Sequence, residues 1–111
     1  MNNPTFQLHR SPLNNQFYFR LRGRNGEITL NSESYISQAS CRNGIASVKR
    51  YAPHDEWYVR RDRTGNYTFN LKAPNGEIIG RSENYTTAGS REQGIQSVKI
   101  DAPHAIIEDL T

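Results

Sequence analysis

Apolar and polar residues alternate along residues 16–22 of this chain. The apolar positions are Phe17, Phe19 and Leu21, and the polar positions between them are Tyr18, Arg20 and Arg22. A period of two with one apolar side is typical of a half-buried strand. The strand leads into Asn25-Gly26, a pair that favours a tight turn because both residues tolerate positive φ. We therefore predict a hairpin whose return strand covers residues 27–30.

A helix is predicted after this hairpin. Apolar residues recur there at helical spacing, at Cys41, Ile45, Val48 and Ala52. Ser37 is suited to cap the helix because its hydroxyl can accept from unpaired amides of the first turn, and Pro53 ends it. Gly44 falls on the apolar face, where glycine costs roughly 1 kcal/mol relative to alanine. We expect a close approach of helix to sheet that would not admit a methyl group.

Three more segments are predicted to be strands. Residues 5–10 place Phe6 and Leu8 on one side, whereas residues 57–61 do not reveal which side is buried. The apolar stretch 105–110 is predicted to form a last strand. Turn-prone loops after the first two of these strands connect each of them to the hairpin that follows.

The chain contains an internal repeat at an offset of fifty residues. Residues 19–54 and 69–104 align without a gap and are identical at 18 of 36 positions, which indicates a duplication. Shared residues at the turns, strand ends and helix centres are assigned structural roles. They are Asn25, Gly26, Ser32, Glu33, Tyr35 and Gly44 in the first copy, and Asn75, Gly76, Ser82, Glu83, Tyr85 and Gly94 in the second. The second copy therefore repeats the hairpin and the helix, with Thr87 as its N-cap.

The predicted fold class is α+β. A unit of three strands and one helix buries too little surface alone, so we expect the two copies to share one antiparallel sheet with both helices packed on one face. Residues 1–111 then form a single domain of two pseudo-symmetric repeats, about 4–54 and about 55–111. We expect the strand near 57–61 to join the two halves.

The repeated motifs resemble those of a known family. The pattern F-x-L-x(3)-NGE-I, followed by S-E-x-Y, a helix with GI-x-SVK and a closing AP, occurs twice and spans nearly the whole chain. It is similar to the YegP-like family of small bacterial proteins in its tandem form. The resemblance implies a β-β-β-α-β unit, one continuous sheet and exchange of C-terminal strands, and it implies no activity. Cys41 and Arg91 differ at a matched helix position, so we expect the two helices to pack differently.

Composition and charge narrow the function classes. Hydrophobic residues make up 34% of the chain and the mean hydropathy is −0.84, which suits a thin two-layer core. No apolar run has membrane-spanning length and no secretory signal is visible. With Cys41 as the one cysteine, no intrachain disulfide is possible, and we expect a cytoplasmic protein. Residues 1–54 carry a net charge of +5 and residues 55–111 carry −2, which indicates either an anionic partner for the basic half or an ordinary solvated surface.

One group of residues suggests a binding surface. Tyr18, Arg20, Arg22 and Arg24 are predicted to alternate on the sheet face opposite the core. Arginines with an interleaved aromatic residue can contact phosphates and stack on a base, and Arg60, Arg61 and Arg63 would extend the row. The alternative is a solvated sheet face, which is favoured because the matched residues of the second copy are Thr68, Asn70 and Lys72.

The remaining candidates favour structure over chemistry. Ser32-Glu33-x-Tyr35 holds groups that perform acid–base catalysis elsewhere, but nothing nearby completes a catalytic set. His9, His54 and His104 lie outside any metal-binding spacing. Cys41 is expected to be a buried thiol. We predict no enzyme, metal site or cofactor, but a monomeric, non-enzymatic binding or structural module of unknown partner, with weak nonspecific nucleic-acid binding as the alternative.

Overall fold

The repeated pattern folds into one seven-stranded sheet carrying two helices, in a computed structural model that describes residues 3–111. The strands are β1 (Thr5–Arg10), β2 (Phe17–Arg22), β3 (Ile28–Asn31), β4 (Tyr58–Arg63), β5 (Asn66–Lys72), β6 (Ile78–Arg81) and β7 (Ile106–Asp109). The helices are α1 (Gln38–Tyr51) and α2 (Ala88–Asp101), with short 3-10 turns at Asp55–Trp57 and Ala102–His104. The predicted α+β fold class is confirmed. No helix within the described residues is long and apolar enough to cross a bilayer.

The two repeats join through their return strands. The strand order is β4-β5-β6-β3-β2-β1-β7, and Asn31 of β3 pairs with Arg81 of β6 in antiparallel orientation. The expectation that the strand near 57–61 joins the halves is wrong, because β4 lies at an edge of the sheet. Because a pseudo-two-fold axis relates the two repeats, the free edge of the return strand in one repeat can pair in antiparallel orientation with the equivalent edge in the other repeat.

Strand β7 departs from the antiparallel arrangement. It runs parallel to β1, with Thr5 opposite Ile106 and Leu8 opposite Asp109, whereas the other strand pairs are antiparallel. The last strand of repeat 2 therefore completes the edge of repeat 1. The family resemblance implied an exchange of C-terminal strands, and the structure shows this transfer from repeat 2 to repeat 1. In the other half, the chain leaving α1 becomes β4 itself, so among residues 3–111 no additional strand lies beyond β4 on that edge.

Both helices cover the same face of the sheet. Their predicted N-caps are confirmed: the hydroxyls of Ser37 and Thr87 accept from the amides of Ser40 and Ser90 at 3.0 Å. The core is formed by apolar residues of both layers, most of them at most 1% exposed. They include Phe6, Leu8, Phe19, Leu21, Leu30, Cys41, Ile45, Val48, Phe69, Leu71, Ile95 and Val98.

The helix glycines make room for a tyrosine of their own repeat. A Cβ at Gly44 would overlap the Tyr35 hydroxyl and lie 2.7 Å from its Cζ, and a Cβ at Gly94 would meet Tyr85 in the same way. The prediction that no methyl group fits is therefore confirmed. The close neighbour is the tyrosine of the strand-to-helix connection, which sequence reasoning did not identify.

The repeats differ where they meet on the pseudo-two-fold axis. Leu30 and Gly80 occupy matched positions, and a Cβ at Gly80 would lie 2.5 Å from Cγ of Leu30. Leu30 is fully buried, so one leucine fills space that two leucines cannot share. Close packing at a symmetry axis thus explains why the duplicated copies diverged here.

The two helices also differ at their edges of the sheet, as the Cys41 and Arg91 mismatch predicted. Cys41 is fully buried, whereas Arg91 is 5% exposed and lies with its guanidinium 5.7 Å from the Tyr67 ring. Arg91 forms ion pairs with Asp62 of β4 and with Glu92. Charged side chains therefore cover the β4 edge of the sheet, whereas β7 covers the opposite edge.

Candidate functional site

Among residues 3–111, no helix covers the face of the sheet opposite α1 and α2, and most side chains on that face are polar. Strand register places one side chain from each strand in a row across this face: Val59, Asn70, Arg81, Asn31, Arg20, Gln7 and Glu108. Strand spacing of about 4.8 Å makes this row about 29 Å long. We call the outward side chains of this face, together with Tyr18, Arg22, Lys72 and Arg61, the open face. Sequence reasoning had named Tyr18, Arg20, Arg22 and Arg61 as candidate contacts and Asn70 and Lys72 as matched positions of the second copy. It had not placed Arg81, Asn31, Gln7, Val59 or Glu108 in the row.

Arg20 lies near the centre of repeat 1 on the open face. Its Nε donates to Oε1 of Gln7 at 2.8 Å, and Nε2 of Gln7 donates to Oε1 of Glu108 at 2.8 Å. Arg22 donates to the carbonyl of Gly26 in the hairpin turn. Within residues 3–111, neither guanidinium has a carboxylate within ion-pairing distance. Both arginines therefore retain donors for an external acceptor.

An aromatic pair stands beside Arg20. The rings of Tyr18 and His9 stack with centroids 5.6 Å apart and an interplanar angle of 17°, and Nδ2 of Asn14 donates to the Tyr18 hydroxyl at 3.2 Å. Burial, followed by the charge of Arg20, lowers the pKa of His9. The imidazole is therefore neutral at pH 7, and this pair adds aromatic surface without adding charge.

Arg24 is not on the open face, contrary to the prediction. The alternation of β2 ends at Arg22, and the chain then enters the hairpin turn, where the amide of Gly23 donates to the carbonyl of Glu27 at 2.9 Å. The turn directs Arg24 to α2, where its Nε pairs with Oδ1 of Asp101 at 2.9 Å. Because Asp101 is only 4% exposed, Arg24 balances a buried charge.

The second arginine cluster divides between the two faces. Arg60 lies opposite the buried Phe69, on the helix side, where it pairs with Asp55 at 2.8 Å and with Glu92 at 2.9 Å. Arg61 lies opposite Thr68 and shares the open face with Arg63. Only these last two arginines extend the row as predicted.

The Ser32-Glu33-x-Tyr35 segment shows structural contacts in both repeats. The Ser32 hydroxyl accepts from the Phe19 amide at 2.9 Å and donates to the Glu33 carbonyl at 2.7 Å. Glu33 pairs with Arg81, and Glu83 accepts from Nδ2 of Asn31 at 3.0 Å, so both carboxylates bridge the seam between β3 and β6. Neither carboxylate lines any of the three clefts beside the hairpin turns.

The other residues considered for chemistry remain apart. Cys41 is fully buried, and burial raises the pKa of its thiol to about 11. His54 and His104 are exposed at the ends of the two repeats. In the part of the chain that the structure describes, no three His, Cys, Asp or Glu residues are grouped so as to hold a metal ion.

Sequence reasoning missed a set of clefts beside the hairpin turns. The largest, of about 310 Å³, lies between the β2–β3 turn and α2, and it is lined by Asn25, Glu27, Thr29, Tyr85, Ser90, Gln93, Gly94 and Ser97. A second cleft of about 240 Å³ adjoins it and contains Arg24 and Asp101. A third, of about 200 Å³, lies at the turn of the other repeat. The sequence contained one signal for these clefts: some exposed polar residues, such as Glu27 and Glu77, are the same in both copies.

Comparison with known proteins identifies related sequences. The chain matches the family model described as a domain of unknown function, DUF1508, over residues 14–58 and again over 62–109. It is 47% identical over 53 residues to the UPF0339 protein YegP of Yersinia pestis, covering 48% of this chain and 47% of that protein. A UPF0339 protein of Bordetella pertussis is 51% identical over 45 residues, covering 40% of each chain. The aligned part therefore spans about half the length of these curated relatives, or less.

Two solution NMR structures share the fold. The yegP protein of E. coli, described as of unknown function, has a TM-score of 0.91 and 44% identity, covering 100% of this chain and 96% of that chain. A UPF0339 protein of Shewanella oneidensis has a TM-score of 0.91 and 37% identity, covering 99% of this chain and 93% of that chain. Both similarities extend over the two repeats and the sheet they share.

Proposed function

Since the chain belongs to the DUF1508 family, as the repeated motif had indicated, and that family has no known function, we propose a role from the chain's own surface. The protein is a non-enzymatic binding module whose open face contacts single-stranded nucleic acid. One observation carries this proposal: Arg20 and Arg22 lie on an uncovered sheet without carboxylate partners among residues 3–111. Guanidinium groups with free donors are suited to phosphate oxygens.

The surroundings of these arginines favour an extended strand over a duplex. The row across the open face carries amides and cations between Val59 at one end and Glu108 at the other. Its amides and cations can follow a sugar–phosphate backbone, and Tyr18 supplies an aromatic ring for base stacking. Lys72 and Arg61 continue the positive charge into repeat 2. Because the row lacks a second pair of aromatic residues, we expect weak binding without sequence preference.

Fluorescence anisotropy with labelled single-stranded DNA and RNA of about twenty nucleotides tests the proposal. With about three phosphates contacted, log K should fall with log salt at a slope of roughly −2, or about sixteenfold between about 50 and 200 mM salt. The double variant Arg20→Glu, Arg22→Glu should abolish binding. The control Arg10→Glu, Arg50→Glu changes the net charge equally but away from the open face, and should retain most of the affinity.

The outcomes separate this role from a protein-binding or purely structural one. No binding at low salt removes nucleic acid as the ligand, and equal losses in both double variants reduce the effect to net charge.

The proposed location is the cytoplasm, because the free thiol of Cys41 is buried and unpaired and such thiols are usual in reducing compartments. Fractionation of cells expressing the chain checks this: recovery outside the cytoplasm would contradict it.

A further inference from the structure

The cleft between the β2–β3 turn and α2 combines one repeat's turn with the other repeat's helix. Asn25, Glu27 and Thr29 come from repeat 1, whereas Tyr85, Gln93 and Ser97 come from repeat 2. Its volume of about 310 Å³ lies at the lower end of the range for small-molecule sites. It opens on the helix side, away from the open face of the sheet.

The two repeats have kept the residues of this cleft. Of its eight lining positions, six are identical between the copies, compared with 18 of 36 over the aligned repeats. Folding accounts for four of these six: Asn25 forms the turn, Tyr85 and Gly94 pack together, and Ser90 lies at the helix cap. It does not account for Glu27 and Ser97, whose side chains make no hydrogen bond or ion pair within residues 3–111. A use outside folding would explain why both copies retain them.

Among the side chains that line the cleft, those of Glu27, Tyr85 and Ser97 make no hydrogen bond within residues 3–111. The Tyr85 hydroxyl lies over Gly94, and within the described residues it makes no hydrogen bond. Burial, followed by the charges of Glu27 and Glu83, raises the pKa of Tyr85, so the phenol stays neutral. The adjoining Arg24 is already balanced by Asp101. Among the described residues that line the cleft, Glu27 therefore carries the one unbalanced charge, and the hydroxyls of Tyr85 and Ser97 line the same cleft.

We propose that this cleft binds a small organic cation through a primary ammonium group. An ammonium group has three donors and no acceptor, and the cleft offers the Glu27 carboxylate, the Tyr85 hydroxyl and the Ser97 hydroxyl as acceptors. Thr29 adds a polar wall, whereas the matched residue of the other repeat is Ile79. The equivalent arrangement in the other repeat, around Glu77 and Tyr35, therefore lacks one polar wall. The chain binds one ammonium ligand, in the cleft beside Glu27.

Amide chemical shifts of the labelled chain, titrated with n-butylamine at pH 7, test the inference. The amine should produce saturable shifts at Thr29, Gly94 and Ser97. Butan-1-ol, which has the same shape without charge, and tetramethylammonium, which has charge without N–H donors, should leave these amides unchanged. No oligonucleotide is present, so the result does not depend on whether the open face binds nucleic acid.

Matched variants decide whether the cleft itself is responsible. Glu27→Gln should weaken amine binding at least tenfold, and Tyr85→Phe, which keeps the ring over Gly94, should weaken it about fivefold. Glu77→Gln makes the same change in the other repeat and should alter binding less than twofold. Shifts that do not saturate, equal responses to tetramethylammonium, or equal losses in Glu27→Gln and Glu77→Gln would overturn the proposal. The spectra of the variants show directly that each remains folded.

Discussion

Replacing Gly44 with alanine should destabilise the domain, although alanine is the better helix former. Gly44 lies in the middle of α1, and its missing side chain leaves room for the ring of Tyr35. That ring also packs against Phe19, with ring centroids 6.2 Å apart. An added methyl group would lie 2.7 Å from Cζ of Tyr35 and 3.2 Å from Cε2 of Phe19. The ring must therefore shift by about 1 Å to reach ordinary contact distances.

Two opposing terms set the size of this effect. Alanine gains about 1 kcal/mol in helix propensity, whereas overpacking a filled core costs about 1–3 kcal/mol. The added methyl group would meet both the Tyr35 ring and the Phe19 ring that packs against it, so we take the upper part of that range. The expected net loss is about 2 kcal/mol of unfolding free energy, which corresponds to roughly 5–10 °C in Tm for a domain of this size.

Urea unfolding followed by circular dichroism and by Trp57 fluorescence measures the change. Gly89→Ala is the matched control, because Gly89 lies in the first turn of α2 and a Cβ there meets nothing within 4 Å. It should be neutral or stabilising by up to about 1 kcal/mol. In a Tyr35→Ala background, Gly44→Ala should also become stabilising, giving a coupling energy of about 3 kcal/mol between the two positions.

The double-mutant cycle tests whether contact with Tyr35 causes the destabilisation by Gly44→Ala. If Gly44→Ala is as stable as the parent chain, the tyrosine does not occupy the space that glycine leaves. If Gly44→Ala costs the same with and without Tyr35, the destabilisation arises elsewhere in α1. Either result would also remove the explanation given for Gly94.

Two further predictions concern titratable groups. Cys41 should resist a thiol reagent at pH 8 in the native state and react rapidly in urea, because burial keeps its thiol protonated; rapid native-state labelling would show that the core is open there. Hydrogen bonds from Arg60 and Lys99 lower the pKa of Asp55 in the folded state. The ionised carboxylate therefore stabilises the fold above its unfolded pKa of about 3.9, and this stabilisation is lost as the pH falls through the lower folded pKa. Asp55→Asn should cost less than about 1 kcal/mol at pH 7, since the group is exposed, and should flatten the loss of urea resistance below pH 4; an unchanged acid profile would contradict this role.

The sequence contained enough information for the hairpins, the helices and the choice of faces. The period-two pattern of β2 placed Phe19 and Leu21 inside, and the hydroxyls of Ser37 and Thr87 marked where the helices begin. These features depend on residues that are close together in the sequence, where backbone geometry and the burial of one side of the element produce a readable pattern. Both Arg20 and Arg22 of the candidate interface were found in this way.

Tertiary structure decided everything that depends on contact between the repeats. The sequence alone did not reveal that β3 meets β6 at the seam, that β7 runs parallel to β1, or that Arg24 turns away from the open face towards Asp101. It also gave no sign that Glu27 would face Tyr85 across a shared cleft. Positions distant along the chain are brought together by the pseudo-two-fold packing of two apolar surfaces, and a periodic pattern within one element does not encode its partner in another.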